Sequence, residues 1–126
     1  MDFLQLKGKR FLVTGVANRK SVAYYTAKLL VEQQAEVVLS VQTDKSAVRV
    51  EKLLPGCPLV ICDVEKEEDL AGLAAFFEKE GRPLDGFVHS IAFANYSEGL
   101  VPFHEVTKKD FLQAVDISCF SLTALA

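Results

Sequence analysis

The sequence lacks the features that would indicate several classes of protein. It has no tryptophan, one methionine and two histidines, and its three cysteines form no C-x-x-C pair. No metal site is therefore indicated, because the usual spacing of cysteine and histidine ligands is missing. An odd number of separated cysteines favours free thiols in a reducing compartment, which we expect to be the cytoplasm. The net charge of -3 argues against nucleic acid as a partner.

Long hydrophobic runs are also absent. No segment approaches the roughly 20 apolar residues of a membrane-spanning helix, so we expect no membrane association. The first residues lack the cationic start and apolar stretch of a secretory signal. Hydrophobic residues make up 50% of the 126 residues, which is enough for one soluble core, and no repeat or linker divides the chain.

Residues 9–34 contain the most informative segment, in which an apolar strand leads through a turn into an amphipathic helix. Residues 11–13 are continuously apolar, as expected of a parallel strand that is covered on both faces. Ser21 is suited to cap the helix that follows. One face of that helix is predicted from residues at helical spacing: Ala23, Ala27, Leu30 and Val31.

The turn from Gly15 to Ser21 has two interpretations. In the functional one, Gly15 lets the backbone approach a diphosphate, while the Ser21 hydroxyl and the helix amides bind its oxygens. In the other, the segment is an ordinary strand-to-helix turn with an N-cap. The dinucleotide motif G-x-G-x-x-G is only partly present, because Gly15 is followed by Val-Ala-Asn-Arg-Lys-Ser. The turn alone leaves both interpretations open.

Strand and helix signals alternate along the rest of the chain. Further strands are predicted at residues 36–41, 58–62 and 85–91, with a helix before or after each and a long loop over residues 92–106. This order predicts an α/β fold with a doubly wound (Rossmann) parallel sheet of about four strands in the order 3-2-1-4. We expect residues 1–126 to form the incomplete, nucleotide-binding portion of a single-domain protein.

Ligands of such sheets bind beyond the carboxyl ends of the strands. Gln42, after the second strand, is neutral and therefore does not discriminate between NAD and NADP by charge. After the third strand, the Asp63 carboxylate could accept from an adenine amino group and the Val64 amide could donate to a ring nitrogen, although Asp63 could equally cap the next helix. Small residues at 90–92 would let the backbone lie against a ribose and nicotinamide, and a plain strand exit explains them nearly as well.

Five segments carry a resemblance to a known family. They are VTGVANRKSVAYYTAKLL, VQTD, CDV, DGFVHSIAFA and VDIS, in that order. Together they resemble the enoyl-[acyl-carrier-protein] reductases, the divergent branch of the short-chain dehydrogenase/reductase family. The combination of HSIAFA with G-x5-S is fairly specific to that branch, since ordinary members of the wider family more often have T-G-x-x-x-G-x-G and N-A-G. The likeness runs from about Leu6 to the last residue.

The resemblance implies an activity and a set of binding residues. Such enzymes reduce the trans-2 double bond of an enoyl-acyl-carrier-protein thioester in fatty-acid elongation, commonly with NADH and sometimes with NADPH. Hydride goes to the β-carbon, and a tyrosine hydroxyl stabilises the resulting enolate. The implied cofactor-binding residues are Gly15, Ser21, Val22, Gln42, Asp63, Val64 and Ile91, and Ala94 would border the acyl substrate.

The resemblance assigns no catalytic residue to this chain. The family's active-site tyrosines and lysine lie beyond the fifth strand, which the sequence does not reach, so we expect a fragment that would be inactive alone. Tyr24 and Lys28 satisfy the Y-x-x-x-K pattern, but they lie on the first helix, away from the expected nicotinamide. The complete protein is expected to be a homotetramer in which the last helix contributes to subunit contacts.

Two other functions remain open from the sequence. One is a nucleotide-binding or assembly module without its own catalysis, which would bind the cofactor and not oxidise it. The other is a carbonyl-reducing short-chain dehydrogenase. A Y-x-x-x-K spacing in the missing part would support that enzyme, whereas a Y-x6-K spacing would support an enoyl reductase.

Overall fold

Four parallel strands form one sheet in the structure, a computed structural model that describes residues 3–126. They are β1 (Arg10–Thr14), β2 (Glu36–Val41), β3 (Leu59–Ile61) and β4 (Gly86–Val88). The strand order is β3-β2-β1-β4 and every pairing is parallel, which confirms the predicted doubly wound order. Strands β3 and β4 are shorter than the sequence predicted, because only three residues of each pair with a neighbouring strand.

Three helices connect these strands: α1 (Val22–Glu32), α2 (Asp44–Leu53) and α3 (Glu67–Glu80). Ser21 caps α1 as predicted, since its side chain accepts a hydrogen bond from the Tyr24 amide. Ala23, Ala27 and Leu30 are buried, but the prediction for Val31 was wrong, because its side chain is 43% exposed. Val31 lies at the edge of the buried face, one residue past Leu30, so the helix rotation turns it towards solvent.

The core of the sheet is made of β-branched and leucine side chains from the two central strands. Val13 of β1, Leu39 of β2 and Val50 of α2 have no exposed surface. The alanines of α1 are equally buried, and their small size lets the helix backbone lie close to the sheet. Burial on both faces explains why β1 and β2 are apolar without alternation.

Charged side chains stabilise the amino end of the sheet through ion pairs and hydrogen bonds. The guanidinium of Arg10 is almost fully buried, forms an ion pair with Glu80 and lies over the ring of Phe77, 5.2 Å from its centroid. The Arg10 amide donates to Asp85 at 2.8 Å. This network ties the start of β1 to the end of α3 and to the turn before β4, at the edge opposite the expected ligand site.

The described residues divide into two compact units, one ending at Ser90 and the other running from Ile91 to Ala126. The second contains a 3-10 turn (Phe103–Glu105), α4 (Lys108–Val115), a π turn (Asp116–Phe120) and α5 (Ser121–Leu125). Its large apolar side chains are mostly exposed; Phe111 is 61% and Phe120 56% exposed. Within residues 3–126, no helix is both long and apolar enough to cross a lipid bilayer. The single-domain organisation stays a prediction.

Candidate functional site

Gly15 directly follows β1 and packs against the backbone that follows β4. Its φ angle is +87°, a left-handed value that favours glycine. A Cβ atom at this position would overlap the carbonyl oxygen of Ser90. Glycine is therefore required twice here, by the backbone angle and by the close approach of the Ser90 backbone.

Thr14, which belongs to none of the predicted site residues, holds the same two strand ends together. Its hydroxyl donates to the Val88 carbonyl at 3.0 Å and accepts from the Ser90 amide at 3.2 Å, and the residue is 1% exposed. The hydroxyl continues the pairing of β1 with β4 past the last residue of β4. A polar residue at the end of an apolar strand, directly before the glycine, was the available signal.

The loop between Gly15 and α1 is shaped by the Ser21 hydroxyl. This hydroxyl donates to the Asn18 carbonyl at 2.7 Å and accepts from the amides of Ala17 and Tyr24. The Asn18 side chain accepts from the Lys20 amide at 2.8 Å. Because the single hydroxyl proton of Ser21 and the Tyr24 amide are both used within the loop, the first-turn donors of α1 that remain for an anion are the amides of Val22 and Ala23.

The exit of β2 presents a neutral surface. Gln42 is exposed, and the next residue, Thr43, caps α2 by accepting from the Ser46 amide at 3.1 Å. The cap fixes the direction in which the chain leaves the strand. The side chain of Gln42 can offer both a donor and an acceptor to a ribose.

Asp63 does not cap α3, so that part of the prediction was wrong. The helix begins at Glu67, its N-cap is Lys66, and the Asp63 side chain instead accepts from the Glu65 amide at 3.0 Å. The Asp63 amide donates to Asp69 at 2.8 Å. These bonds form a turn between β3 and α3 in which Asp63 and Val64 are half-buried.

Cys62, directly before this turn, is a neutral thiol. Burial raises the pKa of Cys62 to about 11, and the negative charges of Asp69 and Asp63 act in the same direction. A thiol of such high pKa is a poor nucleophile at neutral pH. The exit of β3 therefore offers the oxygens and amides of the turn, and not a reactive cysteine.

Six of the predicted residues share the carboxyl edge of the sheet in the first unit. They are Gly15, Ser21, Val22, Gln42, Asp63 and Val64. The two others, Ile91 and Ala94, belong to the second unit. There the loop residues 92–94 form one wall of a shallow apolar groove of about 480 Å³, whose other wall comes from α4 and the π turn.

The Y-x-x-x-K pair of α1 forms contacts that do not suggest catalysis. Tyr24 packs edge-on against Tyr25, with ring centroids 5.2 Å apart. Lys28 is half exposed and lies 3.9 Å from Glu32, one helical turn away. Tyr96, in the loop of the second unit, is 52% exposed.

Comparison with known proteins gives one consistent family. A family model described as Enoyl-(Acyl carrier protein) reductase matches residues 15–126. The chain is 40% identical over 123 residues to an enoyl-[acyl-carrier-protein] reductase [NADH] of Aquifex aeolicus, covering 95% of this chain and 46% of that protein. It is 35% identical over 128 residues to an enoyl-[acyl-carrier-protein] reductase [NADPH] of Staphylococcus aureus, covering 98% of this chain and 50% of the relative.

Solved structures give the same result. The Aquifex aeolicus enzyme superimposes with a TM-score of 0.88 at 39% identity, over 95% of this chain and 49% of that one. A reductase from Anaplasma phagocytophilum in complex with NAD superimposes with a TM-score of 0.88 at 32% identity, over 95% of this chain and 47% of that one. The chain thus spans about half the length of the relatives it matches. On these matches and on the fold, the chain belongs to the enoyl-(acyl carrier protein) reductase family.

Proposed function

We propose that the full-length polypeptide containing this chain reduces the trans-2 double bond of enoyl-acyl-carrier-protein thioesters, with NADH as the hydride donor, in fatty-acid elongation. The observation that carries the proposal is the turn at Gly15, which brings an open helix N-terminus to the carboxyl edge of a doubly wound sheet. Membership of the reductase family supports the reaction. Two relatives are named as NADH and NADPH enzymes, which supports a nicotinamide coenzyme.

The residues at this edge fit a dinucleotide. Gly15 offers backbone without a side chain, and the amides of Val22 and Ala23 lie at the positive end of α1, where a diphosphate is stabilised. Ser21 keeps the loop in the shape that exposes these amides. When bound, the coenzyme supplies the hydride. The chain's own contribution is to bind and orient it.

We assign the adenosine end to the exits of β2 and β3. Gln42 would contact the ribose, and Asp63 would use the carboxylate oxygen that does not accept from Glu65 to receive the adenine amino group. Val64 would flank the adenine. Ile91 would lie on the nicotinamide side and Ala94 beside the acyl chain, as the family resemblance implies.

Gln42 carries no charge that could meet the 2′-phosphate of NADPH, so a substitution at this position tests where the adenosine ribose lies. A 2′-phosphate carries about two negative charges and is usually met by arginine or lysine after the second strand. Gln42→Arg should therefore strengthen the binding of NADPH more than that of NADH, as measured in a titration followed by coenzyme fluorescence. Equal effects on both coenzymes would contradict this assignment.

A homotetramer in the cytoplasm is also part of the proposal. Exposed phenylalanines on α4 and the π turn are side chains that a subunit contact would cover. Three free thiols agree with a reducing compartment. Light scattering of the full-length polypeptide would test the assembly, and a monomer across the micromolar range would contradict it.

The decisive experiment is turnover of crotonyl thioesters with NADH by the full-length polypeptide. The reductase predicts loss of NADH absorbance that depends on the thioester. A nucleotide-binding module, which the family match does not favour, predicts coenzyme binding without oxidation. Oxidation with ketone substrates and not with enoyl thioesters would instead indicate the carbonyl-reducing alternative.

A further inference from the structure

Two side-chain contacts in the second unit hold the long loop that follows Ile91. The first involves Ser118 in the π turn, whose hydroxyl donates to the Phe93 carbonyl and accepts from the Phe93 amide, both at 3.0 Å. A helical serine ordinarily bonds back to the carbonyl one turn earlier, as Ser121 does to Ile117 at 2.6 Å. The Ser118 hydroxyl instead satisfies both backbone groups of one loop residue.

The second contact lies four residues further along the loop. The amide and the hydroxyl of Ser97 both donate to one carboxylate oxygen of Asp110, at 2.9 and 2.7 Å. Asp110 is 3% exposed. The Ser97 hydroxyl and amide lower the pKa of Asp110, so the carboxylate stays ionised at neutral pH and keeps both donors.

The π turn determines where Ser118 lies on the helix. It inserts an extra residue per turn between α4 and α5, and such turns are rare and found frequently at functional sites. The widened turn brings one hydroxyl to the loop at Phe93, while Asp110, two turns earlier, reaches Ser97. We call Ser118 and Asp110 the two anchors of the loop. The loop residues between their contacts, at Phe93 and Ser97, include Ala94.

We propose that Ser118 and Asp110 are positioning residues that hold residues 93–97 as a preformed wall for the acyl chain of the substrate. This rests on the proposed function, because Ala94 borders the acyl substrate only if the protein is an enoyl reductase. Preforming the wall removes the cost of ordering the loop when the thioester binds. Neither residue contacts the reacting atoms, so their effect falls on thioester binding and not on the chemical step.

The test compares Ser118→Thr with Ser118→Val in the full-length polypeptide. These variants have nearly the same shape, and only threonine keeps the hydroxyl. We expect Ser118→Val to raise KM for crotonyl thioester about tenfold, the usual effect of losing one or two neutral hydrogen bonds, with kcat and the NADH dissociation constant within about twofold. Ser118→Thr should remain near the wild type.

Ser121→Ala is the matched control, because it removes a helical hydroxyl that bonds within its own helix. Its KM should change by less than about twofold even if the melting temperature falls. Amide hydrogen exchange gives a readout independent of activity. Phe93 should lose protection in Ser118→Val and keep it in Ser118→Thr.

The second anchor should act through the same loop. Asp110→Ala should also raise KM, and the double variant with Ser118→Val should raise it by less than the product of the two single effects, because either change already releases the loop. A double effect equal to the product would mean that the two residues act separately, which would overturn the shared role.

The remaining outcomes separate this inference from the proposed function. A wild type that oxidises NADH with crotonyl thioester, together with an unchanged KM in Ser118→Val, would overturn the positioning role alone. Reduced kcat and melting temperature with unchanged KM would show that Ser118 is merely structural. A wild type without thioester-dependent oxidation would overturn the proposed function, and the inference with it.

Discussion

The two ends of the four-stranded sheet are built from different chemistry. The amino end is fastened by charged pairs, Arg10 with Glu80, Arg82 with Glu36 and Lys9 with Asp85. The carboxyl end is fastened by glycine and by the neutral hydroxyls of Thr14 and Ser21. Pairing the charges at the amino end stabilises the fold, while the carboxyl end keeps amide donors uncommitted beside a helix dipole. An anionic ligand suits the second end only.

The largest effect expected at the carboxyl end is that of Gly15→Ala. Gly56 has a φ angle of +85°, close to the +87° of Gly15, but a Cβ there would meet nothing within 4 Å. Gly56→Ala should therefore cost only the left-handed angle, about 1–2 kcal/mol. Gly15→Ala adds an overlap with backbone and should cost about 4 kcal/mol or more in urea denaturation. Equal costs would show that the approach to Ser90 is not restrictive.

The amino end should show its largest effect with Arg10→Met. This change removes a buried guanidinium and leaves Glu80, whose side chain is 36% exposed, without its partner, so we expect a cost of about 2–3 kcal/mol, between that of an exposed and a fully buried pair. Arg82→Met is the control, since that pair with Glu36 is half exposed and should cost less than about 1 kcal/mol. Neither variant should change the NADH dissociation constant more than about twofold, because both lie at the far end of the sheet. Weaker NADH binding in Arg10→Met would argue against the separate roles of the two ends of the sheet.

Thr14→Val sharpens the comparison at the carboxyl end. Valine keeps the shape of threonine but leaves the Val88 carbonyl and the Ser90 amide without their partner, which we expect to cost about 2 kcal/mol. NADH binding should weaken as well, because the exit of β4 is no longer held against β1. Isothermal calorimetry and thermal melting would measure both effects. A loss of stability with unchanged NADH affinity would show that Thr14 stabilises the fold and does not contribute to coenzyme binding.

Two helix caps allow an effect on stability to be distinguished from an effect on NADH binding. Ser21 caps α1 and Thr107 caps α4, each accepting from a first-turn amide. Replacing either by alanine should cost about 1 kcal/mol in urea denaturation. Only Ser21→Ala should raise the NADH dissociation constant, since only that loop leads to the proposed diphosphate site. Similar constants for the two variants would count against the assignment.

The smallest effect expected is a dependence of stability on pH at the amino end. The hydrogen bond from Arg82 lowers the pKa of Glu36 below its ordinary 4.5, and that from the Arg10 amide lowers the pKa of Asp85 below its ordinary 3.8. Carboxylates with depressed pKa values stabilise the fold above the ordinary values, and this is lost as pH falls through the folded ones. The urea midpoint should therefore drop between about pH 5 and pH 3. Arg82→Met should flatten the part due to Glu36.

Much of the fold followed from local pattern. The continuous apolar runs at 11–13 and 36–41 predicted buried parallel strands, and the helical spacing of Ala23, Ala27 and Leu30 predicted the buried face of α1. Both patterns depend on neighbours within one turn or one strand. Of the two roles considered for Asp63, the helix cap was wrong, because its carboxylate accepts from the Glu65 amide and its own amide donates to Asp69.

Contacts between distant residues could not be predicted in this way. Thr14 meets Val88 and Ser90 only because β1 and β4 are neighbours, and Ser118 meets Phe93 only because a π turn directs it there. In the sequence, no motif or spacing distinguishes Thr14 or Ser118 from the other hydroxyl residues.

The sequence by itself determined the order of strands and helices, the glycine turn before α1 and the family, since these depend on local periodicity and on motifs read in line. The tertiary structure decided which polar groups are already occupied, such as the Ser21 proton, and which remain for a ligand, such as the α1 amides. The physical reason is that hydrogen bonding is settled by distance in space, and the partners here lie far apart in the chain or compete within a few residues.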